Sequence, residues 1–152
     1  MSRHAQAGMV AGLEALAFGV LVLLVGTLVV VNAWAVIDAR FATAAAAREA
    51  VRAVVEAPEP ALSATQLEQR ARSAAAQAFA AHGYERPPEV SGPPLRQARC
   101  ATVEITVGVE VVPTLLPWLD QPPSYRVAST HREVVDPFRA GLAGDGVSGC
   151  GF

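Results

Sequence analysis

The sequence predicts an α+β protein: a long N-terminal helix that spans a membrane and continues beyond it, a second amphipathic helix, and an antiparallel two-stranded hairpin. Three patterns carry this expectation. Ala15 to Ile37 is a run of 23 residues without a charge, bounded by Glu14 and Asp38. Two stretches then show helical spacing of apolar residues. After them the period changes to two, from Ala101 to Val111 and again from about Tyr125 to Val135.

A bilayer core about 30 Å thick needs about 20 apolar residues in a helix, and the uncharged run meets that requirement. The division expected from the pattern is a short leader over 1–11, a membrane helix over 12–37 and a helical stalk over 38–57. A small α+β domain over 58–140 and a flexible Gly-rich tail over 141–152 complete it. Arg3 and His4 ahead of the run, with Ala33-Trp34-Ala35 near its end, also fit a cleaved signal peptide. The run is longer than a usual signal core, and the helical pattern continues past Ala35, so an uncleaved anchor is the expectation.

Within the run, Gly12, Gly19, Gly26 and Ala33 recur every seven residues. Seven residues are nearly two helical turns, so the four small residues share roughly one face. In lipid, helices associate where small side chains let backbones approach, and this face suits packing against another membrane helix. Glu14 stands at the start of the span, where a carboxylate is favoured by the helix dipole and is costly in hydrocarbon without a partner. It is therefore a candidate subunit contact.

Beyond the span, Asp38 to Ala57 is rich in Ala, the strongest helix former. Ile37, Phe41, Ala44, Val51 and Val55 are expected to form its apolar stripe, and Pro58 and Pro60 end it. Thr65-x-x-Glu68 reads as a capping box opening the second helix. Leu67, Ala71, Ala74, Ala75, Ala78 and Phe79 give that helix its stripe, and Gly83 fits the position after its end. Tyr84 to Arg99 holds four prolines and is expected to be loop.

In the first strand Ala101, Val103, Ile105, Val107, Val109 and Val111 alternate with mostly polar residues, giving one wet and one dry face. The second helix is expected to pack on the dry face. The connecting segment 113–123 carries Leu115, Leu116, Trp118 and Leu119 among prolines. Three roles fit these four residues: cover for the domain's own core, contact with the membrane interface, or contact with a partner.

Composition excludes several functions. Net charge is −2, which gives no broad attraction for nucleic acid. All twelve basic residues are Arg, so lysine-based Schiff-base chemistry is absent. His4, His82 and His131 lack metal-ligand spacing, and no CxxC, HExxH, phosphate-binding loop or dinucleotide fingerprint occurs. Ser129, His131 and Asp136 are close in sequence, but a serine is activated by a base across space and not by its strand neighbour. The expectation is a non-enzymatic protein with no cofactor, no metal, no small-molecule substrate and no nucleic-acid partner. Cys100 and Cys150 fit one disulfide in an oxidising compartment, two free thiols, or a bridge between chains.

Gly12-Leu13-Glu14, then Asn32-Ala33-Trp34-Ala35-Val36-Ile37-Asp38-Ala39, then Ala45-Ala46-Ala47-Arg48-Glu49-Ala50 follow one another along the helix. Together with Val127 to Phe138 at the closing strand they resemble TadE-like proteins of tight-adherence (Flp-type) pilus assembly, particularly actinobacterial ones. The resemblance covers nearly the whole chain and implies a pilin-like fold. It also implies residence in the cytoplasmic membrane, a domain outside the cytoplasm, and pilus or secretion subunits as partners through the membrane helix. Leaders of pilin-like proteins are cut after a Gly with Glu at the fifth mature position; a cut after Gly8 would put Glu14 sixth. Arg40, Arg48 and Arg52 follow the span and only Arg3 precedes it, which by the positive-inside rule favours a cytoplasmic domain. The resemblance and the cysteine pair favour the outside, the expectation adopted here. A bitopic envelope protein that recruits a ligand through the 113–123 segment, unrelated to pili, is the alternative.

Overall fold

A computed structural model describes residues 4–58, 62–113, 124–143 and 150, with side chains from Glu14 onward. Two helices lie on one face of a three-stranded antiparallel sheet. Helix α1 (His4–Val55) is unbroken over 52 residues, about 78 Å at 1.5 Å per residue. No Pro interrupts it, and its commonest residue is Ala, the strongest helix former.

The two parts of α1 have opposite environments. From Glu14 to about Ile37 nearly every large apolar side chain is exposed, Phe18 at 67% and Leu23 at 69% among them. From Ala39 on, one face is buried: Ala39, Ala42, Thr43, Ala46, Ala47, Ala50, Val51 and Val54 are each 0% exposed. The segment expected as a stalk therefore forms part of the domain core. The expected stripe differs in one respect. Val51 and Val55 are buried, but Phe41 is 67% and Ile37 46% exposed. The Ala-rich face wins because its small side chains let the helix backbone approach its neighbours closely, which the bulk of Phe41 would prevent.

Helix α2 (Ala64–Ala81) begins two residues before the expected box. Ser63 is its N-cap: its hydroxyl accepts from Gln66 N, and the Gln66 side chain accepts from Ser63 N at 2.9 Å. Ser63-x-x-Gln66 makes the same reciprocal pair of bonds two residues earlier than Thr65-x-x-Glu68 would, and adds half a turn. Gly83 follows the C-cap residue His82 at φ +87°, a conformation that favours glycine. Leu67, Ala71, Ala75 and Phe79 are the buried face of α2.

The sheet order is β1-β2-β3, with β1 (Glu89–Ser91), β2 (Thr102–Val111) and β3 (Tyr125–Val134). The sequence pattern predicts only the last two. Strand β1 is three residues in the Pro-rich segment, too short to show a period, and it forms because β2 offers an open edge. Its register sets Val90 opposite Val107. The prolines on both sides keep it short, which suits an edge strand. Just after it, Gly92 passes so close to β2 that a Cβ would lie 2.6 Å from the Glu104 carbonyl oxygen.

Strands β2 and β3 pair from Thr102 opposite Val134 to Val111 opposite Tyr125. Val103, Ile105, Val107 and Val127 face the helices and are buried. The helix covering β2 and β3 is α1, not α2 as the pattern suggested; α2 lies along α1 and meets the sheet at β1. The Ala face of α1 is again the reason, since it can approach two surfaces at once. One buried core joins α1, α2, β2, Leu95, Val135 and Leu142.

Ala46→Leu inserts a branched side chain into this filled face and is expected to cost about 1–3 kcal/mol. Phe41→Ala, on the exposed face, is expected to change stability by less than about 0.5 kcal/mol. Thermal unfolding of the detergent-solubilised full chain by circular dichroism checks both.

Candidate functional site

Gly12, Gly19, Gly26 and Ala33 all lie on α1. A Cβ added at Gly19 or Gly26 meets nothing within 4 Å, and Ala33 is exposed. Around Gly19, Gly26 and Ala33 this face therefore carries no other described part of the chain. The Thr and Asn side chains elsewhere around this part of the helix are turned back onto it. Thr27 donates to Leu23 O at 2.8 Å and the Asn32 amide to Leu28 O at 2.7 Å. Such bonds lower the cost of placing Thr and Asn in an apolar medium. Glu14 is exposed at the start of the described side chains. Leu115, Leu116, Trp118 and Leu119 lie outside the described residues.

Two contacts that no sequence pattern announced fix the domain to α1. Buried Thr43 donates to Ala39 O at 2.9 Å and meets the Ser129 hydroxyl on β3 at 2.9 Å. With Thr43 donating to its own helix, Ser129 donates across the gap, so both hydroxyls are satisfied. Ser129 thus holds a helix to a strand. Asp136 accepts from Phe138 N at 2.8 Å, a local turn contact. The second contact is between Tyr84, just beyond α2, and Asp38. The Tyr84 hydroxyl donates to Asp38 Oδ2 at 3.0 Å, and its ring stacks on Phe79 with centroids 4.3 Å apart. Burial raises the Tyr84 phenol from 10.0 to about 12, and the Asp38 carboxylate adds to the shift by accepting its proton and by its charge.

At its other end, α1 is held by its terminal carbonyls. Arg70 donates to Ala53 O at 3.0 Å and Gln97 to Ala57 O at 2.9 Å. The Arg139 guanidinium bonds both Val55 O and Ala57 O. Cations at a helix C-terminus also oppose its negative dipole end. Nearby, Cys100 and Cys150 form a disulfide with Cα atoms 5.0 Å apart. Cys100 N donates to Val135 O and Val135 N to Ala101 O, which brings the strand ends to the same place.

Among the described residues no group of three His, Cys, Asp or Glu is placed to hold a metal ion. The best-formed cleft is about 110 Å³, between α2 and β1 beside Glu68, Arg72, Val90 and Ile105. It is far smaller than ordinary ligand pockets of about 300–1,000 Å³; two wider but shallow grooves, about 520 and 550 Å³, run between α1 and β3.

The sequence contains two Tyr residues. In a Tyr125→Phe variant the remaining phenol is Tyr84, and its absorbance titration is expected to reach its midpoint near pH 12. Because the folded value lies above the unfolded one, the stabilisation is complete below about pH 10 and is lost as the pH rises through about 12. Tyr84→Phe is expected to remove that alkaline dependence and to cost about 1 kcal/mol at neutral pH. The disulfide closes a separation of 50 residues. Its reduction is expected to cost about 4 kcal/mol, seen as a lower melting temperature with reductant present.

Comparison with protein-family models, curated proteins and solved structures gives no match to this chain.

Proposed function

We propose that this protein is a non-enzymatic, single-pass membrane protein acting as a minor pilin- or pseudopilin-like component of a Tad/Flp-type pilus-assembly or secretion apparatus. One observation carries the reading. A single unbroken helix is apolar and exposed on all sides in its first part, and its last part belongs to the core of a small domain. A helix that is apolar all round is stable in lipid or in a protein interior, and among the described residues nothing covers it. The helix is long and apolar enough to cross a membrane.

The bare Gly19–Gly26 face supports association with other membrane helices. The Cys100–Cys150 disulfide supports a domain outside the cytoplasm, since such bonds persist in oxidising compartments. The resemblance of the helix segments and closing strand to TadE-like proteins supplies the pilus context. Membrane subunits of that apparatus are the partners in this reading.

The orientation is tested with a membrane-impermeant maleimide on intact cells. Labelling of Cys100 and Cys150 is expected only after reduction. Labelling only after lysis, with no reductant needed, would place the domain in the cytoplasm and overturn the reading. The packing face is tested by replacing Gly19 and Gly26 with Leu, which is expected to abolish co-purification of membrane subunits and surface assembly. Unchanged co-purification and assembly would overturn the packing face; independence from a neighbouring secretion ATPase and membrane platform would favour a bitopic binding module instead.

A further inference from the structure

The domain and the apolar part of α1 overlap in height. Thr43 and Ser129 are bonded, so they mark one level. From Ser129 back to Tyr125 the strand covers about 13 Å, the rise of about nine helical residues. Counted back along α1 from Thr43, that reaches Trp34, inside the uncharged run. The side chains agree with this count. Val36 and Arg40 of α1 line one shallow groove with Tyr125, Arg126, Val127 and Ala128 of β3. Tyr84 adds a second point at nearly the same level through its bond to Asp38.

The side chains at this end are unusually apolar for a domain edge. Tyr125, which pairs with Val111 at the end of β2, and Val112, just beyond that strand, are each 56% exposed. Trp34, at about their level on the helix, is 70% exposed, with exposed Arg40 one to two turns further on. Tyr and Trp concentrate at the headgroup level of bilayers, where an apolar ring meets a wet polar tip. A basic side chain just beyond them suits lipid phosphates.

We infer that the hairpin end of the domain, Val112 and Tyr125, rests in the lipid headgroup layer beside Trp34, so that the domain sits directly on the bilayer. The inference builds on the proposal that α1 spans a membrane. Its occupant is the lipid surface, because the exposed patch is continuous with the apolar helix: any bilayer that takes up residues 15–37 brings its headgroups to Tyr125. No aqueous stalk separates domain and membrane. The domain is a second membrane contact, and its sheet stands upright on the bilayer instead of swinging about a single helix.

The test is depth-dependent quenching of single tryptophans in the full chain, reconstituted into phosphatidylcholine–phosphatidylglycerol vesicles. Nitroxide lipids labelled either on the headgroup or on the acyl chain are included in both leaflets. Tyr125→Trp and, separately, Val112→Trp are made with Trp34→Phe and Trp118→Phe. Phe138→Trp in the same background reports the far end of the domain. The native Trp34, in a Trp118→Phe variant, reports the span. The headgroup label is expected to remove most of the emission of the Tyr125→Trp and Val112→Trp reporters and to leave the Phe138→Trp reporter unchanged. If either label quenches Trp34 while both hairpin reporters match Phe138→Trp, the span stands and this inference is overturned. If Trp34 itself escapes both labels, the membrane reading fails and the inference fails with it.

Discussion

The close approach permitted by the Ala-rich face of α1 is the constraint on which the rest of the molecule depends. A three-stranded sheet with one β1 strand of three residues has little apolar surface of its own. It needs a broad cover, and the residues from Ala39 to Val54 supply it. Because most of them are Ala, the helix backbone comes near enough for the short Thr43 and Ser129 hydroxyls to touch. A larger residue on that face would open the gap, strand both hydroxyls and uncover Val107 and Ile105. Part of the core is therefore the same helix that runs on through the apolar segment. The sheet cannot turn about α1 without breaking the core, so motion of the apolar segment carries the domain with it as one body.

The two ends of this packed region are secured by different chemistry. Toward the apolar segment, a stacked ring and one hydrogen bond tie Tyr84 to Phe79 and Asp38. Burial and the neighbouring carboxylate both keep the phenol protonated, so the tie is insensitive to pH through the physiological range. At the far end the carbonyls at and just beyond the end of α1 are taken up by Arg70, Gln97 and Arg139. The disulfide and the Cys100–Val135 pairing close the strand ends around them. A helix terminus in a domain this small would otherwise fray, and the guanidinium groups answer both its unpaired oxygens and its dipole.

The outer face of the sheet works differently. Arg132 pairs with Glu104, the Thr106 and Thr130 hydroxyls meet at 2.7 Å, and Arg126 reaches Glu89 at 2.9 Å. That last pair crosses β2, and it crosses at Gly108, where a Cβ would lie 3.5 Å from the guanidinium. These charges are largely exposed, so each pair contributes little to stability. Their order along the strands favours one register over its neighbours, because a shift by one residue would exchange the wet and dry faces.

The sequence by itself determined the elements whose signal is local. The long apolar run, the unbroken Ala-rich helix after it, the stripe from Leu67 to Phe79, and the alternation in β2 and β3 all follow from spacing and propensity within one segment. The tertiary structure decided what depends on a distant neighbour. Strand β1 exists only because β2 has an open edge. The Ala face of α1 turns inward, and Phe41 outward, because closeness to the sheet outweighs the size of a single side chain. The start of α2 at Ser63 was a choice between two equivalent capping boxes half a turn apart. The pairs Thr43–Ser129 and Asp38–Tyr84 join residues 86 and 46 positions apart, a separation that no spacing rule reaches. The level of the hairpin end beside Trp34 follows from the first of those pairs, so it too belongs to the packing. A sequence encodes periodicity through each residue's neighbours in the chain; which faces meet is set by the sum of contacts across the whole core.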